Sequence, residues 1–317
     1  MRRDLSMLAA FVLLFAAPAA AVQQPQNFDN VEVQVLPVQG NVYMVAGGSG
    51  GNITLQIGSE GVLIVDTQYT QLAPKVLAAI RKLTDKPILW IVNTHVHADH
   101  TGGNEALPKL ANTAAGQRPR VVAHENVLNR MTAPQPAGTP DALWPNDEYF
   151  MPQKDLSFNG EAVVIYHMPE AHTDGDSIVF FRKSDVISTG GIFVPGRYPM
   201  IDLQNGGGLR GIINALNRIL QLTVPLKYQE GGTYIIPGHG RICDEAEIVE
   251  YRDMLTIIRD RVQDLIKKGL SLDQVKAARP TRDYDTEYGT NTGSWTTEMF
   301  VEAVYKSLSA GKSRSDR

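Results

Sequence analysis

The stretch His95-Val96-His97-Ala98-Asp99-His100 places three imidazoles and a carboxylate within six residues. It directly follows the apolar run 88–92, and this order is typical of a buried strand that delivers side chains to a loop. Since alternate residues of an extended loop point the same way, His95 and His97 can hold one metal ion while Asp99 and His100 face a position beside it. Histidine and carboxylate are favoured zinc ligands. The alternative, a solvated polar loop that happens to hold histidines, is disfavoured because the whole chain has only seven.

Two more histidines lie where a turn adjoins a strand-like run. His172 stands in the polar stretch 170–177, directly before the apolar run 178–181. His239 stands in a Pro-Gly-His-Gly turn, directly after Ile235 and Ile236. Small residues beside a ligand let the backbone approach a metal closely. We predict that both histidines belong to the same metal site.

The order of these motifs is similar to that of the metallo-β-lactamase superfamily. The resemblance rests on His95–His100, His172-Thr173, the turn 237–240 and an Asp66-Thr67 pair after an early strand, and it spans the chain from about Val31 to about Ile248. It implies an α/β fold class with an αβ/βα sandwich. In that fold two mixed β-sheets pack face to face, helices flank them, and the metal ions bind at one rim.

The resemblance also implies two zinc ions and a ligand set for each. These ligands are His95, His97 and His172 for the first ion, and Asp99, His100 and His239 for the second. Two zinc ions that share a water molecule supply hydroxide at neutral pH. Asp99 would then act as a catalytic residue that orients the nucleophile and manages its proton. Asp66 would support the motif loop from outside the metal sphere.

One position departs from the pattern of the superfamily. Many members carry a metal-bridging aspartate in a Thr-Gly-Asp turn, but this turn reads Thr189-Gly190-Gly191. Glycine cannot ligate a metal, so the second zinc site could be weakened. Alternatively, no bridge is required, as in the β-lactamase subclass that binds its second zinc through Asp-His-His and has the same six ligands. The sequence leaves both interpretations open.

Four further polar residues near the motifs have weaker signals. His124 and His167 each follow an apolar run, which favours buried or hydrogen-bonded histidines that support the site over ligands. Asp174 and Asp176 are interpreted as turn or cap residues.

Three residues between Gly191 and His239 are weak candidates for substrate contact. They are Arg197, Tyr198 and Arg210, and they lie in a region that often borders the substrate in the superfamily. Ordinary surface exposure is the simpler interpretation for each. Cys243 is the only cysteine, and we interpret it as a packed residue rather than a nucleophile.

The N-terminus predicts export. Arg2 and Arg3 precede the apolar stretch 5–17, and the alanines 19–21 offer a cleavage site, so residues 1–21 are predicted to be a signal peptide. A retained anchor is the alternative. Cleavage would leave one domain over residues 22–308, with a disordered tail at 309–317, in the periplasm or secreted. The formal net charge of −4 and the lack of basic runs argue against nucleic acid as a partner.

Apolar patterns predict the main elements. Short runs at 31–36, 42–45, 53–57 and 62–65 with glycine-rich breaks predict a β-meander, and further strands are predicted at 88–92, 121–123, 156–158, 163–167, 178–181 and 186–188. Helices are predicted at 73–83, 209–222, from 248 onward and at 296–308, with a capping box at Ser271 and Gln274. The proline-rich segment 132–149 is predicted to be neither regular helix nor central strand. It is either a loop over the site or a surface connection.

Together these features predict a zinc-dependent hydrolase with a small-molecule substrate and no membrane contact after signal cleavage. A β-lactamase fits both the exported location and the ligand set. Thioesterases that act on cytosolic glutathione adducts and RNA-processing nucleases do not fit an exported, acidic chain. Two alternatives remain: an exported lactone, ester or phosphodiester hydrolase, and a non-catalytic zinc-binding homologue. The oligomeric state is not predicted.

Overall fold

The structure is a computed structural model that describes residues 27–48, 50–111, 118–134, 138–225 and 231–310. The predicted signal peptide and residues 311–317 of the predicted tail lie outside the described residues. Ser309 and Ala310 still belong to the last helix, so the helical pattern extends two residues past its predicted end. None of the helices in the described ranges has the length and apolar character needed to cross a bilayer.

The first sheet has seven strands that follow one another in chain order. They are β1 (Gln34–Gln39), β2 (Val42–Ala46), β3 (Ile53–Ile57), β4 (Val62–Val65), β5 (Ile88–Val92), β6 (Arg120–His124) and β7 (Asp147–Tyr149). Strands β1 to β4 pair antiparallel, which confirms the predicted meander, and β4 to β7 pair parallel. The parallel strands bring their carboxyl ends to one edge of the sheet.

The second sheet has five strands in the order β12-β11-β10-β9-β8. They are β8 (Gln153–Phe158), β9 (Glu161–His167), β10 (Ser177–Phe181), β11 (Val186–Ser188) and β12 (Tyr234–Ile236). Strands β8 to β11 pair antiparallel, and β12 pairs parallel to β11. Both sheets are therefore mixed, as the resemblance implied.

Nine α-helices lie in the described residues. They are α1 (Ala73–Arg81), α2 (Ala98–Thr101), α3 (Ala106–Ala111), α4 (Glu125–Thr132), α5 (Leu209–Leu222), α6 (Glu245–Lys267), α7 (Leu272–Ala277), α8 (Asp285–Tyr288) and α9 (Thr297–Ala310). The capping box predicted at Ser271 and Gln274 starts α7. A second box, Asp244 with Glu247, starts α6. Each box satisfies backbone N–H groups that have no partner within the helix.

The sheets and helices pack against one another through three apolar layers. Side chains of both sheets, such as Val65 and Phe181, fill the layer between the sheets. The outer face of the first sheet packs against α1 and α3, and the outer face of the second packs against α5, α6, α7 and α9. The result is an αβ/βα sandwich, which confirms the expected fold class.

Two short elements have no counterpart in the sequence prediction. Strand β7, in the segment 132–149, has three residues and is too short and too polar to show an alternating pattern. It is the edge strand of the first sheet and so agrees with the prediction that the proline-rich segment holds no central strand. Helix α4 was not predicted because only Val127 and Met131 of its eight residues are buried.

Cys243 is buried as predicted, and burial together with the nearby Glu247 carboxylate raises the pKa of its thiol to about 12. It is therefore an unreactive packed residue.

Candidate metal centre

Both sheets contribute to one rim of the sandwich, where the histidine-rich segments meet. Asp66 follows β4, and the segment 93–100 follows β5. From the second sheet, His172 precedes β10 and His239 follows β12. The candidate ligands therefore sit on loops held by the ends of buried strands.

His95, His97 and His172 form the first group, with one potential ligand atom from each within 4.8 Å of the others. Their ring centroids are 4.7–4.9 Å apart. His95 uses Nδ1 for a contact of 2.9 Å with the Thr94 hydroxyl, and His97 uses Nε2 for a contact of 2.8 Å with Asp202. The opposite ring nitrogens remain for a metal, an arrangement typical of metal-binding histidines.

His172 has a carboxylate behind it as well. Its Nδ1 lies 3.5 Å from Oδ1 of Asp176, and both atoms are buried without a hydrogen-bond partner. The other oxygen of Asp176 accepts a hydrogen bond from the backbone of Thr173. Asp176 was interpreted from the sequence as a turn residue only, and the structure adds that it faces the His172 ring. A small closing movement would join the two unpartnered atoms.

Asp99, His100 and His239 form the second group. Oδ2 of Asp99 lies 3.1 Å from Nε2 of His239 and 3.5 Å from Nε2 of His100, and the two nitrogens are 3.3 Å apart.

Nδ1 of His100 contacts Oδ2 of Asp66 at 2.7 Å, while Asp66 also accepts hydrogen bonds from the backbone and hydroxyl of Thr94. Asp66 could itself join His95 and His100 in a third group. Both carboxylate oxygens of Asp66 already contact Thr94 or His100, which favours the role that the resemblance implied, support of the motif loop from outside the metal sphere.

The charge states within the two groups suit a cation. Burial, followed by the neighbouring imidazoles, lowers the pKa of His95 well below its ordinary value, so this ring is neutral. Burial works to raise the pKa of Asp99, but His100 and His239 outweigh it and keep the carboxyl ionised. Burial likewise works to lower the pKa of His100, but Asp66 and Asp99 outweigh it and raise the pKa. Neutral imidazoles and ionised carboxylates are the forms that bind metals, so a metal ion held by the second group would displace the proton of His100. The residues present therefore fit a metal ion.

Two glycines make room for the ligand rings. A Cβ atom at Gly191 would lie 2.3 Å from Nδ1 of His172, and one at Gly51 would lie 2.3 Å from Cε1 of His100. Neither position accommodates a side chain unless a ligand ring moves. A bridging carboxylate at position 191 therefore has no room in this arrangement.

Asn52, which the sequence analysis missed, holds the turn that carries His239. Its backbone N–H donates to the Gly238 carbonyl at 2.7 Å, and its amide Nδ2 donates to Pro237 and Gly240, each at 2.9 Å. The residue is 8% exposed. It links the β2–β3 connection of the first sheet to the turn after β12 of the second.

Replacing Asn52 with Ala should weaken metal binding at the second group by about tenfold, because two side-chain hydrogen bonds worth roughly 0.5–1.5 kcal/mol each are lost from the His239 turn. Competition with a chromophoric chelator measures this directly. Asn129→Ala, on an exposed face of α4, is the matched control. Unchanged zinc affinity in Asn52→Ala would show that the turn holds His239 without this amide.

Tyr198 has a different place from the one predicted. It is 4% exposed, its hydroxyl lies within hydrogen-bond distance of both Asp285 Oδ1 (3.0 Å) and the Thr281 carbonyl (3.2 Å), and its ring stacks on Phe300. It therefore anchors its segment to the C-terminal helices and does not offer its hydroxyl to a substrate. Arg197 and Arg210 are exposed, which agrees with the simpler interpretation of surface residues.

His124 and His167 stack on one another, with ring centroids 3.5 Å apart. His167 Nε2 donates to the Asp174 carbonyl, and His124 Nδ1 accepts from the backbone of Asn126 at the start of α4. Neither belongs to the groups of potential metal ligands found among the described residues. Burial and the adjacent His167 lower the pKa of His124 to about 4, against the effect of Asp174.

The folded state should therefore lose stability in mild acid. An unfolded histidine titrates near 6.5, so the unfolded chain binds a proton at His124 before the folded chain does. The contribution of His124 to the free energy of unfolding is complete above about pH 6.5 and falls by about 1–2 kcal/mol as the pH approaches 4, since solvent screening reduces the full linkage value. His124→Asn, which keeps an acceptor at the helix start, should flatten this slope in urea unfolding of the zinc-free protein. Equal slopes in the two proteins would assign the acid sensitivity to other groups.

Comparison with known proteins decides the family. The sequence pattern of the metallo-β-lactamase superfamily matches residues 37–276. The chain belongs to this superfamily. Its clustered histidines and aspartates are consistent with the metal binding of that family.

Two curated proteins with different activities match parts of this chain. A linear primary-alkylsulfatase from a Pseudomonas species is 41% identical over 73 residues, which is 23% of this chain and 14% of that protein. A type 2 metallo-β-lactamase from a Bacillus species is 22% identical over 199 residues, which is 62% of this chain and 69% of that protein.

Solved structures share the fold with both groups. A sec-alkylsulfatase from a Pseudomonas species matches with a TM-score of 0.64 and 18% identity, over 86% of this chain and 50% of that one. A metallo-β-lactamase from Pontibacter korlensis matches with a TM-score of 0.54 and 19% identity, over 71% of this chain and 99% of that one. The chain thus spans about half of the solved alkylsulfatase. At these identities the structural matches show the fold alone.

Proposed function

We propose that this chain is a hydrolase that uses two zinc ions. The observation that carries the proposal is the pair of adjacent three-residue groups, one of three histidines and one of Asp-His-His. His95, His97 and His172 would hold one ion, and Asp99, His100 and His239 the other. Bound zinc lowers the pKa of a water molecule to about 7 and so supplies a nucleophile at neutral pH.

The exposure of the ligands indicates where a substrate approaches. The side chains of His97, Asp99 and His239 are 23%, 19% and 36% exposed, whereas His95 and His100 are each about 1% exposed. The centre is therefore open on the side of the partly exposed residues. On this open side the ionised Asp99 carboxylate can accept a hydrogen bond from the attacking water and take its proton. A position that protein groups leave open distinguishes catalytic from structural zinc sites.

The first substrate candidate is a β-lactam ring. Support comes from the Asp-His-His group without a neighbouring bridging side chain, and from the 62% of this chain that matches a type 2 metallo-β-lactamase. The predicted signal peptide would place the protein in the periplasm or outside the cell, where β-lactams are met. Export is tested by sequencing the N-terminus of the protein recovered from the periplasm, which should begin near residue 22.

An alkyl sulfate ester is the second candidate. The 41% identity to a linear primary-alkylsulfatase favours it, although over 73 residues only. The structure adds two exposed apolar side chains close in the chain to Asp202, which contacts His97: Met200 and Leu203 are 42% and 37% exposed. Such side chains would suit an alkyl tail better than the polar substituents of a β-lactam.

Turnover of matched substrates by the zinc-loaded protein separates the candidates. A carbapenem, a cephalosporin, a primary alkyl sulfate, a γ-lactone, a carboxylic ester and a phosphodiester should be assayed under identical conditions. Hydrolysis of the β-lactams supports the first candidate, and preferential hydrolysis of the alkyl sulfate supports the second. Zinc binding without turnover of any substrate class would instead identify a non-catalytic zinc-binding homologue.

A further inference from the structure

Asp202, a residue with no recognisable motif around it, connects the two loops that supply the first group of ligands. Its Oδ2 lies 2.8 Å from Nε2 of His97. Its backbone N–H donates to the carbonyl of His172 at 3.0 Å. One residue therefore contacts both the side chain of one candidate ligand and the backbone of another.

The carboxylate of Asp202 is itself held firmly. Its Oδ1 accepts hydrogen bonds from the backbone of Gln204 and Asn205, each at 3.1 Å, and its Oδ2 accepts one from the Asn205 amide at 2.7 Å. The side chain is 12% exposed.

The hydrogen bonds around Asp202 decide the tautomer of His97, because Gln204 and Asn205 donate N–H groups to both of its oxygens and so leave it the accepting partner of the His97 ring. A carboxylate only accepts hydrogen bonds, so Nε2 of His97 must carry the proton and donate it. The lone pair of a neutral ring then lies on Nδ1, on the opposite edge of the imidazole. A ligating histidine that donates its other N–H to a carboxylate has a fixed ring orientation and a more basic ligand atom.

We propose that Asp202 is a positioning residue of the metal centre, which fixes His97 in the tautomer that presents Nδ1 to the metal and ties it to the loop of His172. The neighbouring segments support this arrangement. Asp174 donates from its backbone to Asn205, and Gly208 donates to Ala171, so the segment 202–208 is joined to the loop of His172 at three points. Because Tyr198 anchors the same segment to the C-terminal helices, the position of His97 depends on that part of the fold too.

The inference rests on zinc binding at this centre, and its test uses Asp202→Asn. An amide offers one accepting oxygen, so it cannot serve His97 and the backbone of Gln204 and Asn205 at once. The variant should bind zinc at the first group about 10- to 100-fold more weakly in chelator competition. Asp264→Asn, which removes an exposed carboxylate paired with Lys268, is the matched control and should leave zinc affinity unchanged.

A second measurement needs no variant. Long-range ¹H–¹⁵N correlation spectra of the zinc-loaded wild-type protein should show His97 with its proton on Nε2. A proton on Nδ1, or an Asp202→Asn variant that folds and binds zinc with wild-type affinity, would overturn the inference. Failure of the wild-type protein to bind zinc would instead contradict the proposed function, so the two outcomes are distinguishable.

Discussion

Gly191→Ala should lower the zinc affinity of the first group by at least about a hundredfold, because the added Cβ would displace the ligand His172. Loss of a contact that only supports a ligand already costs 10- to 100-fold in metal affinity. The added Cβ would lie 2.3 Å from Nδ1 of His172, far inside van der Waals contact. The His172 ring is buried and cannot swing aside without leaving the group. Zinc content after dialysis and affinity by chelator competition measure the effect.

The matched control is Gly208→Ala, where the nearest atom to an added Cβ, the Glu170 carbonyl oxygen, is at an ordinary 3.5 Å. Gly191→Asp separates the two interpretations of the missing bridge. If the site were weakened by lack of a carboxylate, this variant would bind more zinc. The geometry predicts less zinc, and a gain would show that His172 has room to move.

Asp99→Asn should reduce kcat by about 10²–10⁴-fold, the range expected when a group that transfers a proton is removed. The variant keeps the shape of the side chain but removes the ionised oxygen that faces His100 and His239. Zinc at the second group should also weaken, while zinc at the three histidines of the first group should remain. Steady-state kinetics at saturating zinc, together with metal analysis, separate the two effects.

Asp283→Asn, which removes an exposed carboxylate paired with Arg261, serves as the control for loss of a negative charge. A kcat within about threefold of wild type in Asp99→Asn would place the proton-transfer role on another group, in conflict with the expected range.

Site residues that lie close together in the chain could be predicted from the sequence. So could the strands and helices whose apolar residues form a clear pattern. The runs 53–57, 62–65, 88–92 and 209–222 match strands β3, β4 and β5 and helix α5 residue for residue. Their apolar patterns arise from burial on the faces of sheets and helices, which the sequence records directly. The six candidate ligands were found because histidine is rare in this chain and short motifs bracket it.

Residues that act across the fold were not predictable. Asp202 contacts His97 over 105 positions of the chain, and Asn52 contacts Gly240 over 188. Neither contact produces a periodic pattern or a local motif, because it depends on how the two sheets meet at the rim. Tyr198 was misplaced for the same reason, since its partners lie in the C-terminal segment.

Removal and return of zinc test the central account most directly. The mature protein should be stripped with a chelator, dialysed, and titrated with zinc while hydrolysis of the best substrate of the panel and bound metal are followed together. The account predicts no turnover without metal, binding of two zinc ions per chain, and recovery of activity as they bind. Turnover that persists in the stripped protein, or a chain that binds no zinc, would contradict it.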